Sequence, residues 1–230
     1  KIYEKAFNKL NTMIYFTSST SYPHTSSAIA ALDERKGIST AFTISNSETN
    51  VIEEGIDSFD IFFSFKFKTK KILVQNSNLK YFIKTGYSGD YKFQNISQEA
   101  IFLRQKLINQ GSKFIIGFFD QGGSADSMFS VGYGSSRISY EYLLKKLISN
   151  KNLGLIIKPK KPGLIKEKLG PVYNLLLQAL ETKRCIAFLE TDEAHVKNFI
   201  DIPAKTALAS DLTIHDTLLA GTAGLESALV

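Results

Sequence analysis

Short apolar runs alternate with helically spaced apolar positions along the whole 230-residue chain. A run of about four to eight apolar residues between turn residues reads as a buried strand, and apolar residues three and four apart read as one face of a helix. In the first half, strands are predicted over residues 13–17, 40–45, 60–67, 71–74 and 81–85. Ala28, Ile29, Ala31 and Leu32 predict a helix over 26–36, with Gly37 at its end, and a short helix is expected over 51–56. Pro23 predicts a non-helical loop over 18–25.

The turn residues 86–90 and the polar stretch 94–98 then read as a linker, followed by a connecting helix over 97–109 with Ser97 as its cap. A second alternation begins at Lys113. Strands are predicted over 114–119, 153–157, 185–189 and 212–214, and helices over 140–149, 172–181, 204–210 and from about Thr222 onward. A long loop is expected over 120–136.

Strand–helix alternation at this spacing predicts a parallel sheet covered by helices. Two such series with a linker between them predict an α/β protein of two Rossmann-like domains with parallel sheets. The expected divisions are 1–92 for the C-terminal part of an N-terminal domain, 93–112 for a connecting helix and 113–230 for the first part of a second domain. The pattern stops inside a helix and the first residue is not Met, so the chain is read as part of a longer protein, with both domains incomplete. A single larger α/β domain is the competing arrangement. Ligands of open α/β sheets bind beyond the carboxyl ends of the strands, which points to a cleft between the two domains.

Composition narrows the chemistry. Hydrophobic residues make up 43% and the formal net charge is +6, as in an ordinary packed protein with a lysine excess. Arg is scarce and no zinc-finger, RRM or KH spacing occurs, so nucleic acid is not an expected partner. No apolar run approaches the roughly 20 residues that cross a bilayer. These features predict a cytoplasmic protein and leave peripheral contact at the inner membrane face open. Cys185, the only cysteine, lies in an apolar run and reads as a core thiol. No cofactor and no metal site are expected.

Candidate chemistry falls where predicted strands end. The final stretch, Asp211-Leu-Thr-Ile-His-Asp-Thr-Leu-Leu-Ala-Gly-Thr-Ala-Gly-Leu-Glu226, runs from a strand through a small-residue loop into a helix. Amides at a helix start lack internal partners and favour an anion such as a nucleotide phosphate. Thr217, Thr222, Ala223 and Gly224 are the expected phosphate contacts. His215 would donate to a phosphate or act as a base, or serve as a polar loop residue. Glu226 falls one position past the capping-box slot and is left for a ribose hydroxyl, or else for the helix dipole. Gly122 and Gly123 let the backbone approach a ligand closely. Lys158, in Lys158-Pro-Lys-Lys-Pro162, would meet phosphate charge or stand in a solvated basic loop. His24 is the candidate base of the first half, although an ordinary loop histidine fits the same position. Asp120 and Asp126 are the weaker acid–base candidates.

The same final stretch resembles the donor-binding region of GT-B glycosyltransferases, nearest to bacterial surface-polysaccharide enzymes and teichoic-acid glycerophosphotransferases. Phe82-Ile-Lys-Thr-Gly-Tyr-Ser-Gly-Asp90 is similar to the strand and turn that close their first domain, and Leu155-Ile-Ile-Lys-Pro-Lys160 to their strand ending in a basic residue and proline. The resemblance implies a metal-independent transfer from a nucleotide-activated sugar donor to a polysaccharide or lipid-linked acceptor. It also implies that Thr222, Ala223 and Gly224 hold the donor diphosphate and Glu226 the ribose. A nucleotide-sugar 2-epimerase of the same fold and a non-catalytic ligand-binding module are the alternatives.

Overall fold

A computed structural model describes residues 1–18, 23–42, 59–64, 79–120, 132–189, 203–216 and 221–230. The chain divides into two compact units, Lys1–Asp90 and Tyr91–Val230. Each holds a four-stranded, wholly parallel sheet, so the fold is α/β with two Rossmann-like units. The predicted helix over 51–56 and strand over 71–74 lie outside the described residues, as do Gly122, Gly123, Asp126 and Thr217.

In the first unit the order is α1 (Ile2–Leu10), β1 (Ile14–Thr17), α2 (Pro23–Asp33), β2 (Ile38–Phe42), β3 (Ile61–Ser64) and β4 (Tyr81–Lys84), with the strands side by side as β1-β2-β3-β4. Alternate side chains point to opposite faces. One face buries Ala41 and Phe62 against Ile29 of α2, while Phe7 of α1 packs on Ala28, Ala31 and Leu32. Asp60 stitches the amino edge. Its carboxylate accepts from the amide and hydroxyl of Ser39, each at 2.9 Å, and meets Lys80 Nζ at 2.6 Å.

Two expectations here need correction. α1 was not predicted, although Ile2, Ala6, Phe7 and Leu10 recur at helical spacing, and Phe7 alone along it is buried. And α2 begins at Pro23 rather than after it. Proline fits the first turn of a helix, where its missing N–H costs nothing, so His24 lies on a helix and not in a loop.

The second unit runs α3 (Phe93–Ile108), β5 (Phe114–Phe119), α4 (Tyr133–Ser149), β6 (Leu153–Lys158), α5 (Ile165–Leu169), α6 (Tyr173–Glu181), β7 (Cys185–Ala187), α7 (Pro203–Ala209), β8 (Leu212–His215) and α8 (Gly221–Leu229). Its strand order is β7-β6-β5-β8. The near-continuous apolar run of β5 fits a central parallel strand with both faces covered. On one face Phe118, Leu155, Ile157 and Cys185 pack under α4, α5 and α6. On the other, Ile115 and Ile156 pack under Ala100 and Leu107 of α3 and Ala209 of α7. Gly117 permits the second contact, since a Cβ there would sit 2.6 Å from Ser210 Oγ and 3.0 Å from Thr206 Cγ2.

Buried charges in this unit have partners. Arg184 places one guanidinium nitrogen 2.6 Å from the carbonyl of Asn150, 2.8 Å from that of Leu153 and 3.2 Å from that of Leu147, closing the end of α4. Asp211, which is exposed, accepts from Arg104 at 2.6 Å and from the Ile115 amide at 2.7 Å, tying α3 and β5 to the start of β8. Burial pushes the Cys185 thiol up to about 12, as expected of a core cysteine.

Sequence-predicted boundaries shifted in two informative places. α3 starts at Phe93, four residues before Ser97, whose hydroxyl donates back to the Gln94 carbonyl from inside the helix and caps nothing. α4 starts at Tyr133, so residues 133–136 are helical where a loop was expected. The glycines and serines of that stretch hid a helix that forms because Ser136 and Tyr140 are buried against the sheet.

Candidate functional site

The strand order of the second sheet reverses once. β6 and β7 are added on one side of β5, and the chain then crosses back to place β8 on the other side. Helices covering the two faces diverge at such a point, and a crevice opens beyond the carboxyl ends of the two strands. In this protein those ends are Phe119–Asp120 and His215–Asp216. They are aligned, because Phe119 pairs with His215 in register and the Asp216 amide donates to the Phe119 carbonyl at 3.2 Å.

Side-chain alternation distributes the residues over two rows. Toward α3 and α7 lie His215, Phe119 and Lys158, each the register partner of the next across β8, β5 and β6. His215 stacks on Phe119 with ring centres 5.0 Å apart and planes 18° from parallel. Burial lowers the imidazole's pKa below 6.5, and the neighbouring Asp216 charge opposes that only in part. A neutral ring able to accept a proton at pH 7 follows.

Toward α4 and α5 lies a buried ionic cluster. Asp120 Oδ2 accepts from the Tyr140 hydroxyl at 2.6 Å, and Asp120 Oδ1 accepts from the Lys160 amide at 3.0 Å. Lys168 Nζ sits 3.1 Å from Asp120 Oδ2 and 4.0 Å from Asp216 Oδ2, held by charge and not by hydrogen-bonding geometry. Ser136 donates to Asp216 Oδ2 at 3.1 Å. Burial, then the Asp120 charge, push the Tyr140 phenol well above its ordinary 10.0, so it stays protonated and donating. Arg137 fixes the backbone beneath, donating to the Lys168 carbonyl at 2.7 Å. The cluster pins the carboxyl ends of β5 and β8, the loop after β6, and helices α4 and α5 to one another.

Asp120 is buried, and each of its oxygens accepts a hydrogen bond from within the unit. Glu226 is also buried, and one of its oxygens accepts from the Ala204 amide at 3.0 Å, in the first turn of α7. That contact serves the start of a neighbouring helix; the sequence had left the carboxylate for a ribose hydroxyl or for the dipole of its own helix. Thr222 lies inside α8, whose first residue is Gly221 at φ 54°. Thr222, Ala223 and Gly224 are half-buried in that first turn. Lys158 is half-buried and its ammonium lies 5.5 Å from the centre of the Phe188 ring. His24 is exposed at the start of α2 in the first unit.

Lys168, Tyr140 and Ser136 were missed. Lys168 sits in a Lys-rich stretch that reads as solvated, and nothing in its spacing reveals the distant carboxylate of Asp120 that it meets. Tyr140 and Ser136 follow helical spacing from one another and mark the inward face of α4. That spacing is the one signal that could have been read.

No family model and no curated protein matches the chain. Solved structures do. A Listeria monocytogenes protein assigned as a UDP-N-acetylglucosamine 2-epimerase is similar at a TM-score of 0.55 and 13% identity, over 95% of this chain and 55% of its own. Two UDP-forming α,α-trehalose-phosphate synthases are similar at lower scores. That of Burkholderia xenovorans, in complex with glucose-6-phosphate, has a TM-score of 0.45, 10% identity and coverage of 98% and 68%. That of Burkholderia vietnamiensis has 0.47, 11%, and 98% and 66%. The chain thus spans about half the length of the Listeria protein, with which it shares a fold of the GT-B kind. Among the described residues no helix is long and apolar enough to cross a membrane.

Proposed function

We propose that the protein is a glycosyltransferase that takes a sugar or sugar-like group from a nucleotide-activated donor and passes it to a polysaccharide or lipid-linked acceptor. The observation that carries the reading is the strand reversal at β5 and β8, with a half-buried His215 at its mouth and the start of α8 a few residues beyond. In this reading the amides of Thr222, Ala223 and Gly224 face the donor diphosphate and stabilise it as its charge develops on leaving. His215, as a neutral ring, donates a hydrogen bond to the same group. The Asp120–Lys168–Asp216 cluster touches no ligand and holds the mouth rigid. His24 is the proposed base toward the acceptor hydroxyl. Lys158 is left out of the donor site, since its ammonium is turned to Phe188.

A second reading is a nucleotide-sugar 2-epimerase, favoured by the likeness to the Listeria protein. Incubation with a panel of nucleotide sugars and candidate acceptors, followed by mass spectrometry, separates the readings. Free nucleotide with an enlarged acceptor supports the transferase. An isomerised nucleotide sugar supports the epimerase instead, and a ligand bound but unchanged rejects both in favour of a binding module.

A further inference from the structure

We draw no further inference here: the strongest candidate, the apolar face of the first sheet on which Ile14, Phe16, Ile38, Tyr81 and Ile83 stand exposed, carries nothing, because nothing among the described residues shows what covers it.

Discussion

The two sheets have the same number of strands, all parallel, and differ in one respect that matters for function. In the first, each strand is added on the same side of the last, from β1 to β4. In the second, the order turns back at β5. Among the described residues the first sheet is covered by helices on one face, and Ile14, Phe16, Ile38, Tyr81 and Ile83 of the other are exposed. The second is covered on both. Each sheet also has an aspartate that joins neighbouring strands at the amino edge: Asp60 in one and Asp211 in the other. Among the described residues, only the second has a buried ionic cluster at the carboxyl edge. In the second sheet the buried charges gather at the point where the strand order turns back.

The most damaging test of that contrast is to remove one cation from each unit. Lys168→Met leaves Asp120 and Asp216 buried without their counter-charge, which should cost about 3–5 kcal/mol. Lys80 makes the shorter contact, 2.6 Å to Asp60 against 3.1 Å for Lys168 to Asp120. It is, however, 68% exposed, and an exposed pair contributes little. Lys80→Met should leave the urea midpoint unchanged. Comparable losses in the two variants would mean that burial does not distinguish the two edges.

The sequence made the strands of the second unit legible almost residue by residue, because a central parallel strand is a continuous apolar run and needs no partner to be recognised. β5 and β6 match their predicted spans at the amino end and differ by at most one residue at the other. Strand order was not legible, since it depends on which way each crossover returns. The site residues divide along the same line. His215 was readable from its place at a strand end. Asp120 and Glu226 were noticed as carboxylates, but a sequence does not show that Tyr140, Lys168 or the Ala204 amide comes to meet them. The first turn of α4, held by tertiary burial of Ser136, carries a weak local signal and was missed for that reason.

Glu226 gives a middle-sized test. Its carboxylate accepts from the first turn of α7, and losing a helix-start acceptor costs about 0.5–2 kcal/mol. Glu226→Ala should lower the unfolding free energy by that amount while leaving the affinity for uridine diphosphate within about twofold, a shift of about 0.4 kcal/mol. A tenfold loss of affinity in calorimetry would restore the ribose contact that the sequence suggested, and would move Glu226 from the frame of the second unit into its mouth.

The smallest effect concerns pH, and it too separates the edges. Asp60 and Asp211 are each partly desolvated, which alone would raise them. Lys80 with Ser39 in one case, and Arg104 with the Ile115 amide in the other, outweigh that and hold both carboxyls below 3.8. Their contribution is whole above 3.8 and is lost only as the pH falls through the lower folded values. His215 titrates in a different window. Its folded pKa lies below 6.5, so between that value and 6.5 the unfolded chain binds the extra proton and acid favours unfolding. Stability should therefore decline as the pH drops from 7.5 through 6.5, well before either amino-edge aspartate responds. His215→Phe keeps the stack on Phe119 and removes the titration. Thermal melts at pH 7.5 and 5.5 should converge in that variant and stay apart in the parent protein. An unchanged gap would assign the early acid response to some group other than the one at the strand reversal.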